Sequence, residues 1–258
     1  MDSSPEFVVV LCRAREPGNV GAACRAMAAM GLTSLVLADC PDYPEVPVRT
    51  FALAAYPLFE AARRFATLGE ALADCSLAAG FTRRTGRLRA REPRGVTEFA
   101  RRAVRRAGRI ALVFGNEADG LSAGELALCD LAVRIPTSEI FPSLNLAQAV
   151  QIAAWEVARA REELRGIRRR DGEAPVPGSR SDGEGPEAPA TRAEIEGAVR
   201  AAADDLARAG FFKIAGRPAL VRFLRSLLTR AGAAGWEAEY LRNLLGKAAA
   251  LSGRRPEP

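Results

Sequence analysis

Short apolar runs alternate with helical periodicity over residues 7–165 of the chain. Residues 7–12 are continuously apolar, which is typical of a strand buried inside a parallel sheet. Further strands are predicted at 34–37, 76–80, 110–114 and 131–135, with helices at 22–30, 98–106 and 122–128. This alternation predicts an α/β domain with a mostly parallel sheet.

The pattern changes after a long predicted helix at 145–165, whose apolar residues recur on one face. The following residues, up to 190, are rich in Pro, Gly, Ser and Glu and have little to bury, as flexible linkers do. Thr191 and Glu194 then fit a capping box, and three further helical patterns follow. We therefore expect an α/β domain at 1–165, a linker at 166–190 and a small all-α extension at 191–258.

The charge balance is basic, with a formal net charge of +6 that comes almost entirely from arginine. Such a balance favours a polyanionic partner such as nucleic acid, although an arginine-rich composition without functional meaning explains it equally well. No apolar run approaches the ~20 residues that a membrane span needs. The acidic start of the chain does not resemble a signal peptide, so we expect no membrane association.

Cysteine and histidine usage limits the possible chemistry. None of the five cysteines forms a C-x-x-C pair, which argues against zinc and redox sites and favours the reducing cytoplasm. The chain has no histidine at all. Catalysis by Ser-His-Asp or Cys-His groups is therefore excluded, and we expect no metal site.

Three loops that follow predicted strands carry the candidate chemistry. At 17–21, Pro-Gly-Asn-Val-Gly resembles a glycine turn that opens a helix and leaves N–H groups for a ligand; a plain tight turn is the alternative. At 114–121, glycines bracket an amide and two carboxylates, which suggests either a ligand loop or a solvated turn. The third loop runs from Ile135 to Ala147, where Ser143 either contacts a ligand or caps the long helix.

Taken together, these motifs resemble a known family. The order G-N-V-G-A-x-x-R, F-G-N-E-x-x-G-L, then I-P and S-L-N-L-A is similar to the SPOUT superfamily of RNA methyltransferases, in its TrmH-like 2′-O-ribose branch. The resemblance covers about residues 7–165. The helical region 191–258 is more loosely similar to the extension of TrmJ-type tRNA (cytidine/uridine-2′-O-)-methyltransferases, which act on the anticodon loop.

The resemblance implies a SPOUT domain with a C-terminal trefoil knot that binds S-adenosylmethionine, in a cytoplasmic homodimer whose active sites form where the two knots meet. The implied substrate is tRNA, or rRNA. The implied catalytic residues are Arg25, Asn19, Glu117, Ser143 and Asn145. The implied cofactor-binding residues are Thr82, Gly115, Asn116, Ile135, Ser143 and Leu144. For RNA binding we select Arg25, Arg83, Arg84, Arg87, Arg222 and Arg225.

The absence of histidine leaves the proton of the 2′-hydroxyl to be explained. A guanidinium is almost never neutral in a protein, so Arg25 is a poor general base. We expect Arg25 to stay charged, to hold the adjacent phosphate with two hydrogen bonds, and to stabilise charge on the 2′-oxygen. The proton then leaves late, to the phosphate, to Glu117 or to water.

Two alternatives remain at this point. TrmJ-type sequences commonly have arginine where this chain has Asn116, and the arginine-rich segment 83–91 is also unusual for them. Both features leave the RNA target open. Asn116 favours an rRNA 2′-O-methyltransferase of the same family, whereas the helical extension disfavours it. A non-catalytic RNA-binding factor with the same fold is the second alternative, and the intact candidate residues argue against it. A nucleotide-dependent enzyme lacks both the dinucleotide fingerprint and a Walker loop.

Overall fold

The computed structural model describes residues 4–83, 94–170, 189–212 and 216–252. The chain divides into two compact units, Met1–Asp182 and Gly183–Pro258. Most of the predicted linker, 171–188, lies outside the described residues, as do the predicted RNA-binding residues Arg84 and Arg87.

Seven strands among the described residues form one sheet in the first unit, in the order β3-β2-β1-β6-β4-β7-β5. All six pairings between neighbouring strands are parallel, which confirms the predicted sheet. The strands are β1 Glu6–Cys12, β2 Ser34–Ala38, β3 Arg63–Phe65, β4 Leu77–Phe81, β5 Arg94–Gly95, β6 Arg109–Phe114 and β7 Leu131–Arg134. The sequence pattern missed β3 and β5, because neither short strand contains an apolar run.

Helices connect the strands and cover both faces of the sheet. In the first unit they are α1 Pro17–Ala29, α2 Glu45–Ala52, α3 Tyr56–Glu60, α4 Leu68–Ala71, α5 Val96–Ala103, α6 Ala123–Leu128 and α7 Leu146–Arg170, with a 3₁₀ turn at Leu53–Ala55. α7 continues past its predicted end near residue 165. The helices between 45 and 71 were not predicted.

Two apolar layers bury the central strands. Alternate residues of β1 point into different layers: Val9 and Leu11 pack towards α1, α5 and α7, whereas Val8 and Val10 pack towards α4 and α6. β1 and β6 are almost completely buried, which explains why their sequences are continuously apolar. Since all strands are parallel, their carboxyl ends meet at one edge of the sheet, and the loops of that edge carry the three motifs.

The predicted glycine turn at 17–21 is wrong, because these residues form the first turn of α1. Pro17 occupies the first helical position, where its missing N–H costs nothing. Gly21 is needed for packing instead: a Cβ there would lie 2.3 Å from the carbonyl oxygen of Val48 in α2. The two glycines of this motif therefore serve the α1–α2 contact.

The second unit contains three helices among its described residues, α8 Arg192–Arg208, α9 Gly216–Ala231 and α10 Gly235–Ser252. The predicted capping box is confirmed: the Thr191 hydroxyl accepts from the N–H of Glu194, whose carboxylate accepts from the N–H of Thr191. Ile195 and Val199 of α8 pack with Leu224 and Leu228 of α9 in a small apolar core. Across the described parts of both units, no helix is long and apolar enough to cross a membrane.

Candidate active site

A cleft with a volume of about 130 Å³ lies at the carboxyl edge of the sheet. Its walls come from the ends of β4, β6 and β7 and from the loop that precedes α7. All six predicted cofactor-binding residues line it: Thr82, Gly115, Asn116, Ile135, Ser143 and Leu144. Phe81 and Phe114, whose rings stack with centroids 4.5 Å apart, add apolar surface.

One wall of the cleft is the loop of residues 115–121, which closes on itself. The side-chain oxygen of Asn116 accepts from the N–H groups of Ala118 and Asp119 at 2.9 and 2.8 Å, and its carbonyl accepts from Gly120 N–H at 2.9 Å. Gly115, at the start of the loop, packs against Gly120 near its end. A Cβ added at position 115 would lie 2.1 Å from the carbonyl carbon of Gly120. A glycine is therefore required at 115 for the loop to close.

A chain of hydrogen bonds joins the three motifs beside the cleft. Glu117 accepts from the Asn19 side-chain amide at 3.1 Å, and Asn19 accepts from the Asn145 amide at 2.8 Å. The carboxylate of Glu117 also accepts from the backbone N–H groups of Arg15 and Glu16, at 3.1 and 3.2 Å. Three of the predicted catalytic residues thus form one connected group, although they are far apart in sequence.

Asn145 also begins the long helix. Its side-chain oxygen accepts from Ala147 N–H at 2.8 Å, and its own N–H donates to the Gln148 side chain at 3.0 Å, as in a capping box. The alternative in which Ser143 caps α7 is therefore wrong. Ser143 is exposed and lines the cleft.

Arg25 lies apart from this group. It is exposed on α1, in a shallow groove between α1 and α7 that is also lined by Ala22, Gln148 and Ile152. It follows Asn19 by six helical positions, which corresponds to about 9 Å along the axis and roughly 240° around it. Leu144 lines both the groove and the cleft, so the two depressions adjoin.

The remaining arginines selected for RNA binding have different surroundings. Arg83 is exposed at the cleft. Arg222 is exposed on α9, whereas Arg225 is half-buried and donates to Glu196 of α8 at 3.0 Å. The guanidinium of Arg225 therefore forms an ion pair inside the second unit, whereas that of Arg222 is exposed to solvent.

An ion pair that no sequence motif indicates lies behind the cleft loop. The Arg13 guanidinium binds both carboxylate oxygens of Glu125, at 2.5 and 2.9 Å, and also donates to the carbonyl of Gly120 at 3.1 Å. Burial opposes the charge on Glu125, but the hydrogen bonds from Arg13, Ser122 and Cys12 outweigh it and lower the pKa to about 2. Ser122 and Glu125 form a capping box that the sequence displays, whereas nothing local to Arg13 indicates its role.

The carboxyl edge of the sheet carries acidic side chains, among them Glu117, Asp119 and Glu125. Within the ranges that the structure describes, no group of three or more Cys, Asp or Glu side chains is placed to hold a metal ion.

Comparison with known proteins adds to this geometry. Residues 6–155 match the model of the SpoU rRNA Methylase family, and this range includes the sheet, the cleft and the first ten residues of α7. The chain belongs to this family. The resemblance to RNA methyltransferases is therefore confirmed on the part of the chain that carries the three motifs.

Individual relatives agree with this SpoU methylase assignment. The tRNA (cytidine/uridine/adenosine-2′-O-)-methyltransferase TrmJ of Pseudomonas aeruginosa is 40% identical over 154 residues, which are 59% of this chain and 60% of the relative. The tRNA (cytidine/uridine-2′-O-)-methyltransferase TrmJ of Yersinia pestis is 36% identical over 242 residues, which are 92% of this chain and 89% of the relative.

A solved structure resembles the SpoU methylase over both units. The crystal structure of TrmJ from Z. mobilis ZM4 has a TM-score of 0.70 and 28% identity, and the match covers 93% of this chain and 98% of that one. The likeness thus includes the helical extension as well as the catalytic fold.

Proposed function

We propose that this SpoU methylase transfers a methyl group from S-adenosylmethionine to a ribose 2′-hydroxyl of tRNA, in the anticodon loop. The observation that carries the proposal is the connection of Glu117, Asn19 and Asn145 beside a cleft lined by the predicted cofactor residues. The names of the TrmJ relatives, which match nearly the whole chain, favour tRNA as the substrate.

The cleft fits the proposed cofactor. The largely buried rings of Phe81 and Phe114 give it an apolar floor, and Thr82 and Ser143 supply polar groups. Glu117 and Asp119 also line it, and their negative charge suits a cationic ligand. When bound, S-adenosylmethionine supplies an electrophilic methyl group on a positively charged sulfur.

The protein itself contributes by aligning the two reactants and by stabilising the charge that develops during methyl transfer. Well-oriented reactants gain up to about 7–11 kcal/mol from proximity alone, so a connected and rigid site is effective without a strong base. Arg25 holds the phosphate beside the target ribose and stabilises negative charge on the 2′-oxygen. Because both oxygens of Glu117 already accept hydrogen bonds, the released proton goes to a phosphate oxygen or to water.

Replacing Arg25 with Lys tests the phosphate contact. Lysine keeps the charge but loses the planar pair of donors, so we expect kcat/KM to fall by about 10- to 100-fold. The measurement is methyl incorporation into tRNA at varied tRNA concentration. Activity close to that of the wild type would remove the two-bond contact from the mechanism.

A homodimer is part of the proposal, because Arg25 lines the α1–α7 groove and does not line the cleft itself. The α1–α7 groove has small residues at Ala22, Ala26 and Ala29, and it adjoins the cleft at Leu144. A second copy seated on this groove would bring its Arg25 to the neighbouring cleft. The trefoil knot of the 1–165 domain and the cytoplasmic location, which the tRNA substrate requires, also belong to the proposal.

Mixed dimers provide a sharp test of this arrangement. Arg25→Ala and Asn145→Ala are each expected to be inactive. If Arg25 acts across the interface, mixing them by unfolding and refolding restores about one quarter of the activity, since half of the dimers are mixed and each has one intact site. No recovery in a sample that sedimentation shows to be dimeric would mean that each site uses its own Arg25.

The direct test of function is nucleoside mass spectrometry on unmodified tRNA and rRNA transcripts incubated with the protein and S-adenosylmethionine. A 2′-O-methylated nucleoside in the tRNA anticodon loop is the expected result. Methylation of rRNA alone, which Asn116 and the name of the SpoU rRNA Methylase family favour, would overturn the proposed substrate and keep the proposed reaction. Methylation of neither, without cofactor binding, would indicate a non-catalytic RNA-binding factor.

A further inference from the structure

Arg13 occupies an unusual position directly after β1. Its φ of 55° lies in the left-handed region, which costs energy for a residue with a side chain. Its N–H donates to the carbonyl of Ala38 at the end of β2, at 2.9 Å. The surrounding contacts therefore hold Arg13 in a conformation that aims its side chain across the edge of the sheet.

The guanidinium connects two elements that are distant in sequence. It binds both oxygens of Glu125 in the first turn of α6, and it donates to the carbonyl of Gly120, where the cleft loop 115–121 ends. Both side chains are mostly buried, with 23% of Arg13 and 15% of Glu125 exposed. Because this pair is shielded from solvent and uses two parallel bonds, it is stronger than an ordinary surface ion pair.

The same loop sends a side chain back in the opposite direction. Glu117 accepts from the N–H groups of Arg15 and Glu16, just two and three residues after Arg13. Two contacts therefore connect the segment 13–16 to the loop 115–121, one near each end of the loop. Arg13 binds the carbonyl of Gly120, and Glu117 binds the backbone N–H groups of residues 15 and 16. We call this arrangement the Arg13 clasp.

We propose that Arg13 is a positioning residue, which keeps the 115–121 loop in the conformation that binds S-adenosylmethionine. The loop's inner wall comprises Gly115, Asn116 and Glu117, and all three line the cleft. The internal hydrogen bonds of the loop determine its conformation. The Arg13 clasp determines the position of the loop relative to β1 and α6. The identity of the ligand rests on the proposed function; the mechanical role of Arg13 does not.

The main test compares Arg13→Lys with Arg109→Lys. Arg109 is a matched control, since it is also mostly buried, binds Asp74 at 2.9 Å and Ser34 at 3.0 Å, and lies at the amino edge of the sheet, away from the cleft. Both variants keep the charge and lose the planar fork. We expect the Kd for S-adenosylhomocysteine, measured by calorimetry, to rise at least about tenfold in Arg13→Lys and to stay unchanged in Arg109→Lys.

Steady-state kinetics separate positioning from a general loss of folded protein. In Arg13→Lys we expect the KM for S-adenosylmethionine to rise more than kcat falls, because cofactor at saturating concentration restores the loop. Glu125→Gln keeps an acceptor for the N–H of Ser122 and weakens the bond to Arg13. We therefore expect the KM for S-adenosylmethionine to rise in this variant too, but by less than in Arg13→Lys. The proposal would be overturned if Arg13→Lys and Arg109→Lys lost cofactor affinity and activity to the same extent, in proportion to their losses of thermal stability.

Hydrogen exchange tests the clasp without any ligand. The N–H groups of Ala118, Asp119 and Gly120 bond to Asn116, so their exchange reports on the loop. We expect faster exchange at these amides in Arg13→Lys than in Arg109→Lys. Unchanged exchange would refute the clasp. Failure of the wild type to bind S-adenosylhomocysteine would refute the proposed ligand, and the exchange result would still decide the role of Arg13.

Discussion

Glu117 shows how one side chain organises several backbone groups. Its carboxylate accepts hydrogen bonds from two backbone N–H groups and from Asn19, so it orders the entrance to α1 and one catalytic candidate together. This position requires a side chain with two oxygens that both accept hydrogen bonds. A carboxylate meets this requirement, whereas an amide does not.

We expect Glu117→Gln to lose both stability and activity. Glutamine would point an NH₂ group at one of the three donors, and the loss of such a partly exposed hydrogen bond costs about 0.5–1.5 kcal/mol. The expected results are a lower free energy of unfolding in urea and a large decrease in methyl transfer. Glu16→Gln is the control, because Glu16 is exposed and contributes its backbone N–H to this contact.

The charge state of Glu125 makes part of the stability depend on pH. Its pKa in the folded protein is lowered to about 2, whereas an unfolded glutamate titrates near 4.5. The contribution of the ion pair is thus fully present above about pH 4.5 and is lost as the pH falls towards 2. Asp74, whose burial is outweighed by bonds from Arg63 and Arg109 that lower its pKa, changes stability in the same direction.

We therefore expect the stability difference between wild type and Glu125→Gln to shrink as the solution is acidified. Urea unfolding at pH 6 and pH 3 measures it. The variant should be clearly less stable at pH 6 and closer to the wild type at pH 3. A difference that stays constant over this range would show that the charge on Glu125 contributes no stability.

At the scale of elements, the contact between α1 and α2 depends on a missing side chain. Gly21 lets the backbone of α1 approach α2, and its hypothetical Cβ would lie 2.3 Å from Val48 O and 3.0 Å from Ala52 N. Both atoms belong to the backbone of α2, so they cannot move without shifting the helix. The entrance of α1 carries Asn19, and the contact therefore also positions the site.

Gly21→Ala and Gly197→Ala should have opposite effects on stability. Alanine is favoured over glycine by about 1 kcal/mol inside a helix, but at Gly21 the clash with α2 costs more, and we expect a net loss of about 1–3 kcal/mol. A Cβ at Gly197 of α8 would meet nothing within 4 Å, so the substitution there should stabilise the protein. Thermal unfolding of both variants checks this; stabilisation of Gly21→Ala would contradict the packing argument.

At the scale of the whole molecule, each compact unit has its own core and its own arrangement of charge. The first unit contains the sheet and the cleft, and the second packs three helices around Ile195 and Leu228. Arg222 is exposed in the second unit, which suits contact with RNA phosphates. We therefore expect cofactor binding in the first unit and part of the RNA affinity in the second.

Truncation after Arg170 tests this division of roles. We expect the shortened chain to keep its affinity for S-adenosylhomocysteine and to bind tRNA more weakly, with a smaller dependence on salt, because each phosphate contact contributes to the slope. In the full chain, Arg222→Gln should reduce that slope by about one contact, since one cation is removed. Unchanged tRNA affinity in the truncated protein would refute a role for the extension.

The sequence by itself determined the strands β1, β2, β4, β6 and β7, because each contains a run of apolar residues. It also placed the three motifs at one edge, since loops that follow parallel strands must meet there. The family motifs then predicted Asn19, Glu117 and Asn145 as site residues, and the structure joins all three by hydrogen bonds.

Tertiary structure alone decided the features that depend on contact between distant segments. Arg13 and Glu125 are 112 positions apart, and no local pattern links a residue after one strand to the first turn of a later helix. The glycines at 18 and 21 are compatible with a turn or a helix until α2 packs against them. Arg25 lies in the expected motif, but the direction in which it faces follows from the rotation of α1, which the packing of its buried face determines.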